Sequence, residues 1–270
     1  MIKRFLILFL LGWVVQGNLL DFDLSTFKIF SNTLQAIAVG YVFTSIVYIY
    51  LKSTHRYLFF VSCLIAYALL LTLPIIPGIG RSTLLPDLNF AIYLDNLIFG
   101  SFDDGKQYTW FLSSLGFTAT TLSGLFAGEL IKNQKNKIKV VKTLLIYGSI
   151  ALSVGLLSNV FHPVVKKIWT SSFVLVSSGI CYYIMALFYW IIDVKQNIKW
   201  TFFLKVIGMN AITAYFISHV LPFPKIAGFI LYGMAPYTGN YYEFITVIGG
   251  FSLLYLLLWY MYKNKTFIKI

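Results

Sequence analysis

The chain has 270 residues, 59% of them hydrophobic and 11% charged, and a mean hydropathy of +0.81. A soluble domain carries about a quarter charged residues, so this is the composition of a membrane protein. The net charge is +12, from 21 basic and 9 acidic residues, but the cations sit in short runs between apolar segments, which is membrane patterning and excludes a nucleic-acid face.

A bilayer core of about 30 Å takes roughly 20 apolar residues of helix. On that measure the sequence predicts an all-α, polytopic bundle of eight spans over residues 3–20, 33–51, 57–77, 110–131, 140–161, 169–192, 201–221 and 243–262, in one domain over 1–270. The first span follows Lys3 and Arg4; with Val15-Gln16-Gly17 at its end it also has the outline of a weak signal peptide. In the second, Asn32 is a natural cap, and Gln35 one turn later is the less easily explained polar residue. The third is bounded by Lys52-Ser53-Thr54-His55-Arg56 and by the Pro/Gly stretch from Pro74 to Gly80. Residues 78–109 hold "PDLNFAIYLDNLIFG", with Asp87 as an acidic cap and Gly100 as a stop. Its roughly 12 helical residues are too few to cross, which predicts an interfacial or re-entrant helix.

In the fourth span Gly124-x-x-x-Gly128 reads as close helix packing, and Glu129 is expected to pair with the lysine run that follows. The sixth begins with "KKIWTSSFVL". The plain reading of that stretch is anchoring: Trp169 in the aromatic belt, lysines snorkelling, and hydroxyls bonding to backbone carbonyls. The functional reading makes Lys166 and Lys167 anion binders, and Thr170, Ser171 and Ser172 donors to a polar ligand. Asn210 lies inside the seventh span, where its amide either ties helices together or touches a ligand. Residues 222–242, rich in aromatics, Pro and Gly, are expected to form a lid or an interfacial loop.

Orientation follows from the cations. With Lys3 and Arg4 in the cytoplasm, the same side collects Lys52 and Arg56, then Lys132, Lys135, Lys137, Lys139 and Lys142, then Lys195, Lys199 and Lys205, and finally Lys263, Lys265 and Lys269. The far side holds most of the acids: Asp21, Asp23, Asp87, Asp95, Asp103, Asp104 and Glu243. Both termini are then cytoplasmic. Cys63 and Cys181 fall in apolar stretches and read as packing residues, and no metal motif is present. Of the histidines, His55 and His162 read as incidental loop residues, and His219 is the best placed for acid–base work.

The stretches "FHPVVKKIWTSSFVL", "ALFYWIIDV" and "FFLKVIGMNAITAYFISHVL", in this order, resemble the bacterial relatives of heparan-alpha-glucosaminide N-acetyltransferase, a family of multispanning membrane acyltransferases. "RFLILFLLGWVVQG", "FDLSTFKIFSNTLQAIAVGY" and "LSSLGFTATTLSGLFAGELI" extend the likeness over nearly the whole chain and favour a retained first span. The resemblance implies acetyl-coenzyme A as co-substrate, taken from the cytoplasmic side beside Lys132, Lys135, Lys137 and Lys139. It implies delivery of the acetyl group to an amino or hydroxyl group of a sugar or glycan on the far side, and residence in a bacterial inner membrane. Lys166, Trp169, Thr170, Ser171, Ser172, Asn210 and Gln35 would line the acceptor pocket.

The departures are specific. The family's opening span and its His-x-x-Trp-x-Gly-x-Thr-x-x-Asp loop, which carries the acyl-transfer histidine, have no counterpart, so the chain is expected to start at the family's third span. An arginine of the family is Ala36 here, and an asparagine is Val165. His219, Asp95 and Asp103 remain as candidate bases. A transporter of a polar or glycan-related solute, and a subunit completed by another chain or by further copies of itself, stay open as alternatives.

Overall fold

A computed structural model describes residues 1–17, 26–104 and 108–268. The end of the first expected span (18–20), Asp21, Asp23, Lys106 and Lys269 lie outside the described residues. The protein is 75% helical, as bilayer physics requires of a spanning chain whose backbone has no water to bond. It divides into two compact units, Met1–Gln196 and Asn197–Ile270.

The first unit contains α1 (Ile2–Gln16), α2 (Thr33–Tyr50), α3 (Ser53–Thr72), α4 (Phe90–Phe99), α5 (Ser114–Asn133), α6 (Lys137–Ser158) and α7 (Ser171–Tyr189), which a π-helical turn carries on to Val194. Two short antiparallel strands, β1 (Ile75–Ile76) and β2 (Gly80–Arg81), follow α3. The second unit contains α8 (Phe202–Met209), α9 (Ala211–Val220), α10 (Phe223–Ile230), the single turn α11 (Ala235–Thr238) and α12 (Tyr242–Lys263).

Among the described residues, five helical stretches are long and apolar enough to cross a membrane, and six if the pair α8–α9 counts as one broken span. α1 has 15 residues and rises about 22 Å at 1.5 Å per residue, short of a 30 Å core. α5 has the length, 20 residues, but threonine, serine and glycine dilute it. It is also the enclosed helix of its unit, packed against α2, α3 and α7. Thr118, Thr120 and Thr121 each return their hydroxyl to the carbonyl four residues back, at 2.7–2.8 Å, so its polar groups are satisfied within the helix.

In lipid no hydrophobic force drives helices together, and close backbone approach through small residues takes its place. The α6–α7 seam is built this way. A Cβ on Gly179 would sit 2.8 Å from the Leu152 nitrogen, and one on Gly155 would sit 2.9 Å from the Val176 nitrogen. In the second unit a Cβ on Gly250 of α12 would meet the Pro224 nitrogen of α10 at 2.7 Å. The opposite faces are apolar and bare; in the last candidate span only 11% of the residues are buried within the protein, which suits contact with lipid and would be an aggregation hazard in water.

Several expectations change. Gly124 and Gly128 do not pack: a Cβ on either would meet nothing within 4 Å. Glu129 pairs with Arg56, whose guanidinium reaches across from α3, while Lys132, Lys135, Lys137 and Lys139 stay exposed. Asn89, not Asp87, caps α4, its Oδ1 accepting from the Ile92 N–H at 3.0 Å; Asp87 pairs with Lys167. Gly100 does stop α4, at φ +55°, a backbone region open to glycine. Residues 222–242 are mostly helical turns packed near α12 rather than an open loop. The seventh expected span is bent by 63° at Asn210. Cys63 is buried as expected, but Cys181 is exposed.

Candidate functional site

The connection from α6 to α7 is a knotted turn. Thr170 is the N-cap of α7, accepting from the Phe173 N–H at 3.3 Å and the Val165 N–H at 3.0 Å, and donating to the Pro163 carbonyl at 2.9 Å. The Ser172 hydroxyl donates to the same carbonyl at 2.9 Å. The Ser171 hydroxyl reaches the Leu64 carbonyl of α3 at 2.7 Å. Trp169 takes φ +50°, unusual for a bulky residue. The conformation aims its indole N–H at the Thr120 hydroxyl of α5, 3.1 Å away, with the ring edge-on to Phe117 and Phe173. Beneath it the Tyr67 hydroxyl bonds to the Ile168 carbonyl and to Ser113. Lys166 is exposed. Every hydroxyl of the Thr-Ser-Ser run is thus committed to protein, and the segment ties α3, α5 and α7 together.

His162 sits under this turn, 8% exposed. Its Nε2 accepts from the Ser171 N–H at 3.3 Å, in the first turn of α7. A neutral ring that accepts at Nε2 carries its proton on Nδ1, and Nδ1 has no partner. Burial pushes the imidazole pKa down, and the positive end of the α7 dipole acts in the same direction. The result is a neutral imidazole offering one unused N–H. The sequence reading passed over His162, because nothing in "FHPVVKK" reports that the chain folds back onto the start of α7.

Gln35 is completely buried and belongs to the cap of α2. Its Oε1 accepts from the Ser31 and Asn32 N–H groups at 2.8 and 3.3 Å, and its Nε2 donates to the Ile29 carbonyl at 3.0 Å. Together with Asn32 it forms a reciprocal capping box. Asp95, 1% exposed, accepts from the Trp110 and Phe111 N–H groups at 2.7 and 2.9 Å, one on each oxygen, and so fixes α4 to the turn that opens α5. Burial pushes its pKa up to about 7, against the pull of those two N–H bonds and with some help from Asp103 and Asp104. Asp103 is buried and engaged with its surroundings.

The second unit holds the other unused groups. Asn210 stands at the break between α8 and α9, 1% exposed. Its Nδ2 donates to the Val206 carbonyl at 3.2 Å, while its Oδ1 has no partner. Thr213, three residues on and therefore on the same face of α9, is 2% exposed with an unpartnered hydroxyl. His219 is exposed; its Nδ1 lies 2.8 Å from the Tyr215 carbonyl and its ring lies 4.2 Å from that of Tyr215, tilted by 33°. A carbonyl only accepts, so Nδ1 is the donor in that contact. His219 lies nine positions after Asn210, about 13 Å along a helix, so the two do not serve one reacting atom.

The exposed lysines lie at the end of α5 and the start of α6. Lys137 and Lys139 occupy the first turn of α6, where the helix dipole disfavours cations; helix stability is not the reason they are there. Asn136 caps that end, accepting from the Lys139 N–H at 3.1 Å. Among the described residues no group of three or more His, Cys, Asp or Glu is placed to hold a metal ion. No protein-family model matches the chain, and no curated protein is significantly similar to it.

Proposed function

We propose that this chain is an integral membrane protein of the acyltransferase type, moving acetyl from acetyl-coenzyme A to an amino or hydroxyl group of a sugar or glycan across the membrane. One observation carries the reading. Among the described residues, three buried side-chain atoms lack a hydrogen-bond partner: His162 Nδ1, Asn210 Oδ1 and Thr213 Oγ1. All three fall inside "FHPVVKKIWTSSFVL" and "FFLKVIGMNAITAYFISHVL", two of the stretches that resemble the glucosaminide N-acetyltransferases. A buried polar group without a partner costs about 1–3 kcal/mol, and a bound ligand that completes the bonding is one way to recover that cost.

Their chemistry suits acyl transfer. The nucleophile attacks the thioester carbonyl, the C–S bond breaks, and the proton that the nucleophile loses passes to the departing thiolate, so that coenzyme A leaves as the thiol. The Asn210 oxygen is an acceptor for an amine or hydroxyl of the acceptor sugar, and the Thr213 hydroxyl can accept or donate. In the first unit, taken by itself, the His162 N–H is a donor that a polar ligand's oxygen can accept from. On this reading the chain crosses a bacterial inner membrane eight times with both termini inside, α1 and α5 crossing as packed members of the bundle. Lys132, Lys135, Lys137 and Lys139 then meet the phosphates of coenzyme A.

The test is transfer of labelled acetyl from acetyl-coenzyme A to glucosamine-containing acceptors by purified protein in liposomes. The expected result is labelled acceptor with Asn210→Ala and Thr213→Val well below the parent chain, and donor binding that weakens with salt and with Lys→Gln changes at 132, 135, 137 and 139. No transfer, with or without a complementing chain carrying the family's histidine loop, ends the proposal. The break at Asn210 favours a second reading, since discontinuous spans form solute sites in transporters. Solute uptake into vesicles without coenzyme A would select it.

A further inference from the structure

The first unit contains a groove of about 640 Å³ between α2 and α5, lined by Tyr41, Thr44, Ser45, Tyr48, Thr121 and Gly124 among others. Its size lies within the range of about 300–1,000 Å³ typical of small-molecule sites. Its floor is the glycine face of α5: Gly124 lines it, and a Cβ there would meet nothing within 4 Å. The glycines of the α6–α7 seam, by comparison, are pressed against backbone. The walls are mostly apolar, with threonine and serine hydroxyls between the aromatic rings.

Two arginines stand on those rings. The Arg4 guanidinium lies 4.6 Å from the centroid of Tyr41, and that of Arg56 lies 4.3 Å from the centroid of Tyr48. Arg56 is neutralised by Glu129 and also bonded to the Tyr48 and Leu51 carbonyls at 2.8 Å. Among the described residues no carboxylate pairs with Arg4, which is exposed. The groove therefore combines an apolar trough with one uncompensated guanidinium at its edge.

We infer that this groove holds an anionic phospholipid, with one acyl chain in the trough and the phosphate on Arg4. A free phosphate would find few polar partners along the trough, and a neutral lipid would leave the arginine unanswered. A guanidinium presents paired N–H donors that match phosphate oxygens. The inference is independent of the acyl-transfer reading, since it uses none of that site's residues.

The experiment is native mass spectrometry of the detergent-purified chain with dioleoylphosphatidylglycerol or dioleoylphosphatidylcholine. The parent chain is expected to retain phosphatidylglycerol about tenfold better, the ratio that one charge-assisted contact supplies. Gly124→Leu fills the trough and is expected to lower retention of both lipids with the melting temperature unchanged; Ser45→Phe gives the same reading should the leucine variant fail to fold. Arg4→Gln is expected to abolish the preference while leaving phosphatidylcholine retention as it was. Equal retention of both lipids by the parent chain overturns the inference. So does unchanged retention in the filled variants, or full displacement of the lipid by soluble glycerol phosphate.

Discussion

The turn before α7 and the break before α9 both hold buried polar side chains, and they use their hydroxyl and amide groups in opposite ways. In the turn, Thr170, Ser171 and Ser172 bond to Pro163, Val165, Phe173 and Leu64. At the break, the Asn210 oxygen and the Thr213 hydroxyl bond to nothing in the protein. Hydroxyl content alone does not separate a structural knot from a binding site; what separates them is whether the backbone nearby has groups left to satisfy. A turn leaves carbonyls and N–H groups that side chains must answer. At the break Asn210 continues the local bonding with its own N–H, to the Ile207 carbonyl at 3.0 Å, and its side-chain oxygen is left over.

That contrast can be broken by substitution. Thr170→Val removes the α7 cap and strands the Val165 and Phe173 N–H groups, while Ser172 still answers the Pro163 carbonyl, an expected loss of about 2–4 kcal/mol. Thermal unfolding in detergent would register it as a drop of many degrees, and an unchanged melting temperature would make the knot decorative. Asp95→Asn sets an amide NH₂ against one of two backbone donors, for an expected loss of about 1–3 kcal/mol. Asn210→Ala deletes only a bond to the helix's own Val206 carbonyl. It is expected to cost less than about 1 kcal/mol and yet to remove most transfer or transport; a melting shift as large as that of Thr170→Val would move Asn210 to the structural side.

The smallest effects are in pH. The His162 pKa is depressed in the fold, so its contribution to stability is present above the ordinary value of 6.5 and declines as pH falls below it. His162→Gln is expected to flatten that acid limb in a melting-temperature series from pH 7.5 to 5. The Asp95 pKa is raised from 3.8 to about 7, so its contribution runs the other way, present below pH 3.8 and lost as pH rises towards 7. The deficit of Asp95→Asn should therefore be smaller at pH 7 than at pH 4.

Helices were easy to find in the sequence and partners were not. The long apolar runs marked α2, α3, α6, α7 and α12 within a few residues, because hydrophobic length is a local property. Asn32 and Gly100 were legible for the same reason. Asp87 was mistaken for a cap because Asn89, two residues on, offers the same acceptor, while the cation that holds Asp87 is Lys167, far along the chain. Glu129 likewise bonds to Arg56, not to the adjacent lysines. Small-residue spacing identified a smooth face on α5 but could not say whether a helix covers it. For His162 no local signal existed; for Asn210 the cue was an amide inside an apolar run, which leaves packing and ligand contact both open.

The enclosed position of α5 bears on how the chain is made. A segment holding so many threonines and glycines gains little by partitioning alone from the translocon into lipid. Its hydroxyls are quieted by its own carbonyls, and its neighbours α2 and α3 have already been synthesised when it emerges, so those two helices can escort it. The Trp169 latch arrives only later. Ribosomes stalled before residue 169 should therefore expose an α5 that proteases or cysteine reagents still reach, and release past that point should close it.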